Sequence, residues 1–578
     1  MVITKNLLPF ALMATFPLSG VESKACPPLG AVLPPPRQPS KEFAVIEAVK
    51  SLKATFDKVT SRYNASAVSI GVQSIYEDIP FVDLHYTPPI KNKNSTETVT
   101  ADTVYRIGSC TKVFTVLALL QQKNIRWDEP VTKYLPELKR NQAEGTDIEA
   151  VHWDSVTIGA LASHISGIGR DLAFDLANFP VPFFQAEKMG LQPLDDKARA
   201  NHCSGLGVTK ACSKQDVLKN MPLRHPQYAS YTAPLYSNVG ITLLGLVVEK
   251  VTNKSLDQLL KEKVLRPTGM QKTSLNEPPV SDNEGFIPAN DPTWSTKTGV
   301  FASSGGMYSS TSDMLSFGSA ILSHKLLSPL ATRKWLSPTS FTSSRGHVLG
   351  APWEIQRADR LAPDGRIVDI YAKAGDLGQY HSMFALIPDY GIVVSVMTAG
   401  KEVSDEFFVQ SHLVSQTLKA VIPALDAVTK EEAKKDFAGV YQDKESDSVV
   451  ELAVDNGPGL AIKEWTVKGF NVLGNFTFYN IAASGKKLPG IARLYPSNLE
   501  AGSQKAWRMV FDQVDDERGE AFDEAAAYPD ARCVNWGTMD RFNYNFAGLE
   551  EFVITVGRDG AAESLSPVGF GVTLTKQK

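Results

Sequence analysis

The chain has 578 residues, too many for one hydrophobic core at roughly 100–200 residues per domain, so two to four domains are expected. Hydrophobic residues make up 43% and charged residues 21%, which excludes a disordered, collagen-like or low-complexity chain. The net charge is −4, with both signs interspersed and no long basic block, which argues against nucleic acid and anionic membrane as partners.

At the start of the chain Lys5 precedes an apolar stretch, Leu7 to Val21, that is too short to span a bilayer and is interrupted by Pro9 and Pro17. With the small residues Ser23 and Ala25 before Cys26, residues 1–25 read as a signal peptide, and a secreted chain with no membrane span is expected. Residues 26–40 form a Pro-rich leader. Asn-x-Ser/Thr sequons begin at Asn64, Asn94, Asn253 and Asn475, in polar or turn-like sequence suited to N-glycosylation. Cys203 and Cys212 bracket a short Gly/Ser/Lys-rich stretch that a disulfide closes, and Cys26 is free to pair with Cys533 across the ends of the mature chain, leaving Cys110 alone. A zinc site at His202, Cys203 and Cys212 lacks a fourth ligand at sensible spacing, so no metal and no cofactor are expected.

Phe43, Ile46, Val49, Leu52 and Phe56 recur at helical spacing over 41–61, and residues 66–86 switch to the alternation of two strands. Asp102 to Ile107 reads as a further strand, after which Val113, Val116, Leu117 and Leu120 mark a buried helix. The region of about 125–350 reads as mainly helical, with helices at Val239 to Val251 and Ser312 to Leu322. Strands return at Val368 to Ala372, Tyr380 to Ile387 and Gly391 to Met397, followed by an amphipathic helix at about 405–420. Strands at both ends of this region suggest one sheet built from distant segments. After a boundary near 430–436, short alternating segments at Ser448 to Val454, Phe476 to Ile481, Ala506 to Phe511, Phe552 to Val556 and Val568 to Leu574 predict a small β-barrel or sandwich.

Three short motifs carry the chemistry. Ser109-Cys110-Thr111-Lys112 lies where a strand gives way to the apolar helix, which puts a hydroxyl and an amine on one face, three residues apart. A serine needs a base, and a lysine desolvated at a helix start is lowered enough to serve, while the helix N-terminus supplies N–H groups for a developing oxyanion. Ser484-Gly485-Lys486-Lys487 has the same spacing but leads into Pro489-Gly490, and reads as a turn. Tyr236-Ser237-Asn238 is the only Tyr-x-Asn among 17 tyrosines. A phenol between two lysines can shuttle a proton, and the Asn238 amide can hold a lysine amine or a substrate carbonyl; alternatively the triplet is a surface turn. For a second cation, Lys297-Thr298-Gly299 lacks strand periodicity, whereas Lys373-Ala374-Gly375 ends a plausible strand, so Lys373 is preferred. His164, flanked by Ser163 and Ser166, reads as a structural hydrogen-bonding partner.

The order Ser109-x-x-Lys112, Tyr236-x-Asn238, Lys373-x-Gly375 resembles the serine β-lactamase and penicillin-binding-protein family, in the branch of class C β-lactamases, D-alanyl-D-alanine carboxypeptidases and related esterases. Leu161 to Gly167, Leu235 to Gly245, Arg266 to Met270 and Ser304 to Asp313 strengthen the likeness, and the tail looks like the barrel of secreted fungal β-lactamase-like proteins. The resemblance implies an α+β fold: a catalytic domain over 41–430, with a split antiparallel sheet flanked by helices and a mainly helical insert, then a β-barrel over 437–578. It implies a serine hydrolase working through an acyl-enzyme on an ester or amide, or an acyltransferase; a silent binding protein is the alternative. Ser109 is then the nucleophile, Lys112 its base, Tyr236 the proton shuttle and Lys373 the electrostatic support, with an oxyanion hole at the N–H groups of Ser109 and Asp376. Ala374 lacks the hydroxyl with which many relatives hold a β-lactam carboxylate, so a small ester, thioester or peptide-like acyl substrate is favoured.

Overall fold

The computed structural model describes residues 26–577 apart from 143, 147, 173–185, 194–202, 204–210, 279–283, 476–489, 514–520, 522–523, 529 and 538. The expected signal peptide, the strand at Phe476 to Ile481, the turn at Ser484 to Lys487 and His202 lie outside the described residues. The chain forms two compact units, one of Leu29–Ala438 with Val556–Ala562, the other of the residues up to Pro28 with Gly439–Thr555 and Glu563–Lys578.

The first unit is built on an eight-stranded antiparallel sheet. Its strands are β1 (Ala67–Ser74), β2 (Val82–Tyr86), β5 (Ser340–Phe341), β6 (His347–Leu349), β7 (Glu354–Ala358), β8 (Val368–Leu377), β9 (Tyr380–Ile387) and β10 (Ile392–Ala399), in the order β2-β1-β10-β9-β8-β7-β6-β5. Two short strands, β3 (Tyr105–Arg106) and β4 (Tyr308–Ser309), pair separately. The β1 to β10 pairing joins residues more than 300 positions apart, so the sheet is split in sequence as expected. Alternation along each strand divides two cores. Val68, Ile70, Val72, Met383, Ala385, Val394 and Val396 face α1 (Phe43–Thr60) and a 28-residue helix, α5 (Val409–Asp436). Phe384, Leu386, Val393 and Met397 face the other core, which holds α2 (Thr111–Leu120), α3 (Asn238–Thr252) and α4 (Thr311–Leu322).

Several elements differ from the periodicity. Of the strand expected at Asp102 to Ile107, Tyr105 and Arg106 pair with β4, which offers partners for those two residues alone, and Val104 makes an isolated parallel bridge to Gly285. The β8 strand runs on through Lys373 to Leu377, since β9 pairs with it as far as Leu377↔Tyr380. The stripe on α2 marks only part of what is buried: Thr111 to Leu119 are buried on every side, including Lys112.

In the second unit, β11 (Gly439–Asp443), β12 (Ser448–Ala453), β13 (Leu460–Val467), β14 (Gly490–Ala501), β15 (Gln504–Gln513), β16 (Glu551–Val556), β17 (Ala562–Pro567) and β18 (Leu574–Lys576) close into an eight-stranded barrel through the β12–β13 pairing. Val450, Leu452, Ile462, Trp465, Trp507, Phe552 and Leu565 are among its buried side chains. The strand expected at Val568 to Leu574 is replaced by a helical turn, Val568–Phe570, ended by Gly571 at a φ of 63°. Cys203–Cys212 and Cys26–Cys533 are disulfide-bonded, so neither Cys203 nor Cys212 is available as a zinc thiolate, and Cys110 is a buried free thiol. Among the described residues no helix is long and apolar enough to cross a membrane.

Candidate active site

The segment carrying Ser109 is a 3-10 turn, Gly108–Cys110, that feeds directly into α2. It is stitched to the sheet: the Ser382 hydroxyl on β9 donates to the Ile107 carbonyl at 2.9 Å, and the Cys110 thiol donates to the Lys373 carbonyl on β8 at 3.0 Å. Burial pushes that thiol up to about 11, so it stays protonated as a donor. Two glycines permit this close approach. A Cβ on Gly375 would lie 2.1 Å from the Ile107 oxygen and 2.9 Å from the Ser109 nitrogen, and one on Gly108, at a φ of 47°, 2.7 Å from the Asp376 nitrogen. The backbone of Ser109 is thereby brought against that of Asp376.

Lys112 is completely buried. Its Nζ lies 2.9 Å from Ser109 Oγ, 2.7 Å from Asn238 Oδ1 and 2.5 Å from the Ser304 carbonyl. A neutral amine has two hydrogens and one lone pair. Asn238 and Ser304 are acceptors that take the two hydrogens, which leaves the lone pair for the Ser109 hydroxyl. Burial and then the Lys373 charge hold Lys112 below the usual lysine range, against the pull of Tyr236.

Ser237 caps α3 by accepting from the Gly240 N–H, which places Tyr236 just before the helix and Asn238 at its first turn. Asn238 is held in one orientation because its Nδ2 donates to both oxygens of Asp171, at 2.9 and 3.1 Å. Tyr236 is not a surface tyrosine: it lines the cleft together with Ser109 and has Lys112 and Lys373 at 5.0 and 5.1 Å from its ring centre. Burial opposes ionisation of this phenol, but the two lysine charges outweigh it and hold Tyr236 below its ordinary value. His164 stacks on Tyr236 at 4.5 Å and accepts the Ser237 N–H on Nδ1; burial, then Lys112 and Lys373, drive it well below the ordinary histidine range.

On β8, Lys373 is buried and donates to Glu354 Oε1 at 2.5 Å. Burial opposes its charge, yet Glu354 and Tyr236 more than restore it, so Lys373 remains a cation. Lys297 is exposed in the loop before the Gly299–Phe301 turn. Ser109, Tyr236, Asn238, Lys373 and Asp376 line one cavity of about 770 Å³, with Arg170, Asp171, Phe301, Glu354, Met383 and Phe408. The asparagines of the four sequons lie apart from it and are exposed.

Sequence reasoning missed Asp171, Glu354 and the Ser304 carbonyl. Ser304 opens the Ser304 to Asp313 motif, whereas Asp171 and Glu354 carry no local signal. Glu354 is located only by its register opposite Ala372.

The family profile described as Beta-lactamase matches residues 71–419, and the profile described as Beta-lactamase-like-like, C-terminal domain, matches residues 429–578. The chain is 29% identical to a beta-lactamase-like protein of Arthroderma benhamiae, over 96% of this chain and 95% of that one. It is 24% identical to probable hydrolase clz13 of Cochliobolus lunatus, over 96% and 92% respectively. Among solved structures, a penicillin-binding protein homologue from Pyrococcus abyssi aligns with a TM-score of 0.47 at 18% identity, across 80% of this chain and 96% of that one. With the Ser109 turn, the buried Lys112 beside it and Tyr236 brought together, and with the first profile spanning more than half of its length, the chain belongs to the beta-lactamase family of serine hydrolases.

Proposed function

We propose that the protein is a serine acyl-hydrolase that acts through an acyl-enzyme on a small ester or amide. The observation that carries this reading is the 2.9 Å contact between Lys112 Nζ and Ser109 Oγ, in surroundings that favour the neutral amine. Lys112 takes the Ser109 proton as Oγ attacks the acyl carbon, and the carbonyl oxygen gathers negative charge against the N–H groups of Ser109 and Asp376. Tyr236, which lines the cleft with Ser109 and has Lys112 5.0 Å from its ring centre, passes the proton to the leaving group and later draws one from the attacking water. Lys373 keeps its charge and favours the phenolate form of Tyr236.

A fluorophosphonate probe is expected to label Ser109, and Ser109→Ala or Lys112→Ala to lower turnover of a simple aryl ester by about a thousandfold or more with the circular dichroism unchanged. Ester turnover that survives either substitution refutes the assignment. Absence of label and of turnover in the parent protein favours a silent binding protein instead.

The four exposed sequon asparagines and the two disulfides support export through an oxidising, glycosylating compartment. Peptide-N-glycosidase treatment of protein from the native host is expected to lower its apparent mass; an unchanged mass together with reduced cysteines counts against export.

A further inference from the structure

One carboxylate in the cleft enters the chemistry above only by keeping Lys373 charged. Glu354 opens β7 opposite Ala372, and both of its oxygens are engaged at the cleft: Oε1 accepts from the Lys373 ammonium at 2.5 Å, and Oε2 from the Ala374 N–H at 2.9 Å. The two donors best placed to receive an anionic group of a substrate, a buried ammonium and a strand N–H beyond the last β7 to β8 pair, are therefore satisfied from within the protein. Ala374 adds no hydroxyl. The other guanidinium or ammonium at the cleft wall is matched as well, for Arg170 lies 3.3 Å from Asp171. A third carboxylate, Asp376, lines the cavity, held by His381 at 2.6 Å and Gln410 at 3.0 Å. Among the described residues the cationic side chains lining the cleft are thus outnumbered by carboxylates, while Phe301, Leu377, Met383 and Phe408 supply apolar wall.

We infer that Glu354 occupies the anion subsite of this cleft and so reserves it for uncharged acyl substrates, rejecting those that carry a carboxylate near the scissile bond. The inference rests on the hydrolase reading and names its substrate class. An incoming carboxylate meets a like charge at hydrogen-bonding range and has to displace Glu354 from two donors before it is paired, a cost that an uncharged ester or amide does not meet.

The test compares two matched pairs of aryl esters: phenyl acetate with 3-carboxyphenyl acetate, and phenyl phenylacetate with its 3-carboxy acyl derivative. The parent protein is expected to disfavour the carboxylate member at least thirtyfold in kcat/KM. In Glu354→Gln the ratio of carboxylate to neutral ester rises at least tenfold for one pair or both, chiefly through KM, and Glu354→Ala, which also frees the Ala374 N–H, does the same. A ratio that stays put in both variants overturns the inference. If no ester turns over and Ser109 takes no fluorophosphonate, the hydrolase reading is what fails, and the subsite is read by binding alone. Calorimetric titration of benzoate and benzamide into Ser109→Ala and Ser109→Ala/Glu354→Gln is then expected to show benzoate gaining at least fivefold over benzamide in the double variant. An unchanged preference, or no benzoate binding to the double variant, overturns the subsite.

Discussion

Lys112 and Lys373 lie 5.0 and 5.1 Å from the ring centre of one phenol, yet the fold treats their charges in opposite ways. Lys112 is buried among neutral acceptors and held low, whereas Lys373, equally buried, has Glu354 beside it and stays charged. The difference supports the proposed roles, in which the amine without a carboxylate is the base and the amine with one is the fixed cation. It also sets a pH dependence. In the proposed mechanism the acid limb of kcat/KM reports loss of a proton from the coupled Lys112–Tyr236 pair, so rate rises with pH across that limb. Removing the Lys373 charge leaves Lys112 and Tyr236 both harder to deprotonate, and the Glu354 anion it leaves behind pushes the same way. Lys373→Ala is therefore expected to move the acid limb to higher pH, by on the order of one unit. A pH–rate profile that keeps its limb in place, or moves it to lower pH, shows that Lys373 does not act through its field.

At the scale of elements, the decisive junction is where the Ser109 turn docks against the end of β8, and it depends on an absent side chain. A Cβ at position 375 would stand 2.1 Å from the Ile107 oxygen, a backbone atom that cannot swing aside as a side-chain tip can. Gly375→Ala is accordingly expected to drive the turn away from the strand and cost at least about a hundredfold in kcat, since displacement of reacting groups by about an ångström has that effect. The same chain should retain its helix content by circular dichroism. Near-parental kcat in Gly375→Ala would mean that the Ser109 and Asp376 backbones need not meet for catalysis. This junction also separates what the sequence shows from what it hides. Apolar spacing marks α1 and β9, and the Ser-x-x-Lys, Tyr-x-Asn and Lys-x-Gly triplets mark three walls of the cleft, because each is local in sequence. The continuation of β8 through Lys373 to Leu377 is hidden, since Gly375 and Asp376 are poor strand formers and only pairing with β9 extends it. Asp171 and Glu354 are hidden for a related reason. A carboxylate looks alike in any loop, and its partners, Asn238 for one and Lys373 with Ala374 for the other, are chosen by tertiary register.

For the molecule as a whole, the two disulfides close loops of very different length. Cys203 and Cys212 are 9 residues apart in sequence, whereas Cys26 and Cys533 are 507 apart, so the second bond ties the leader to the barrel unit around most of the chain. In the chain-entropy model a cross-link acts on the unfolded state and its effect grows slowly with the loop it closes, about 2–3 kcal/mol for a loop near ten residues and about 6 kcal/mol for one of roughly five hundred. Both bonds should therefore matter, and the long one more. Cys26→Ser is expected to lower the thermal midpoint of the barrel unit, followed by tryptophan fluorescence from Trp465 and Trp507, by more than Cys203→Ser/Cys212→Ser lowers that of the catalytic unit. Neither change touches Ser109, Lys112 or Tyr236, so ester turnover below the midpoint should persist in both. The reverse ranking would show that the short bond acts chiefly by ordering the native loop around it, and that closure of the long loop contributes little because the unfolded chain is already compact.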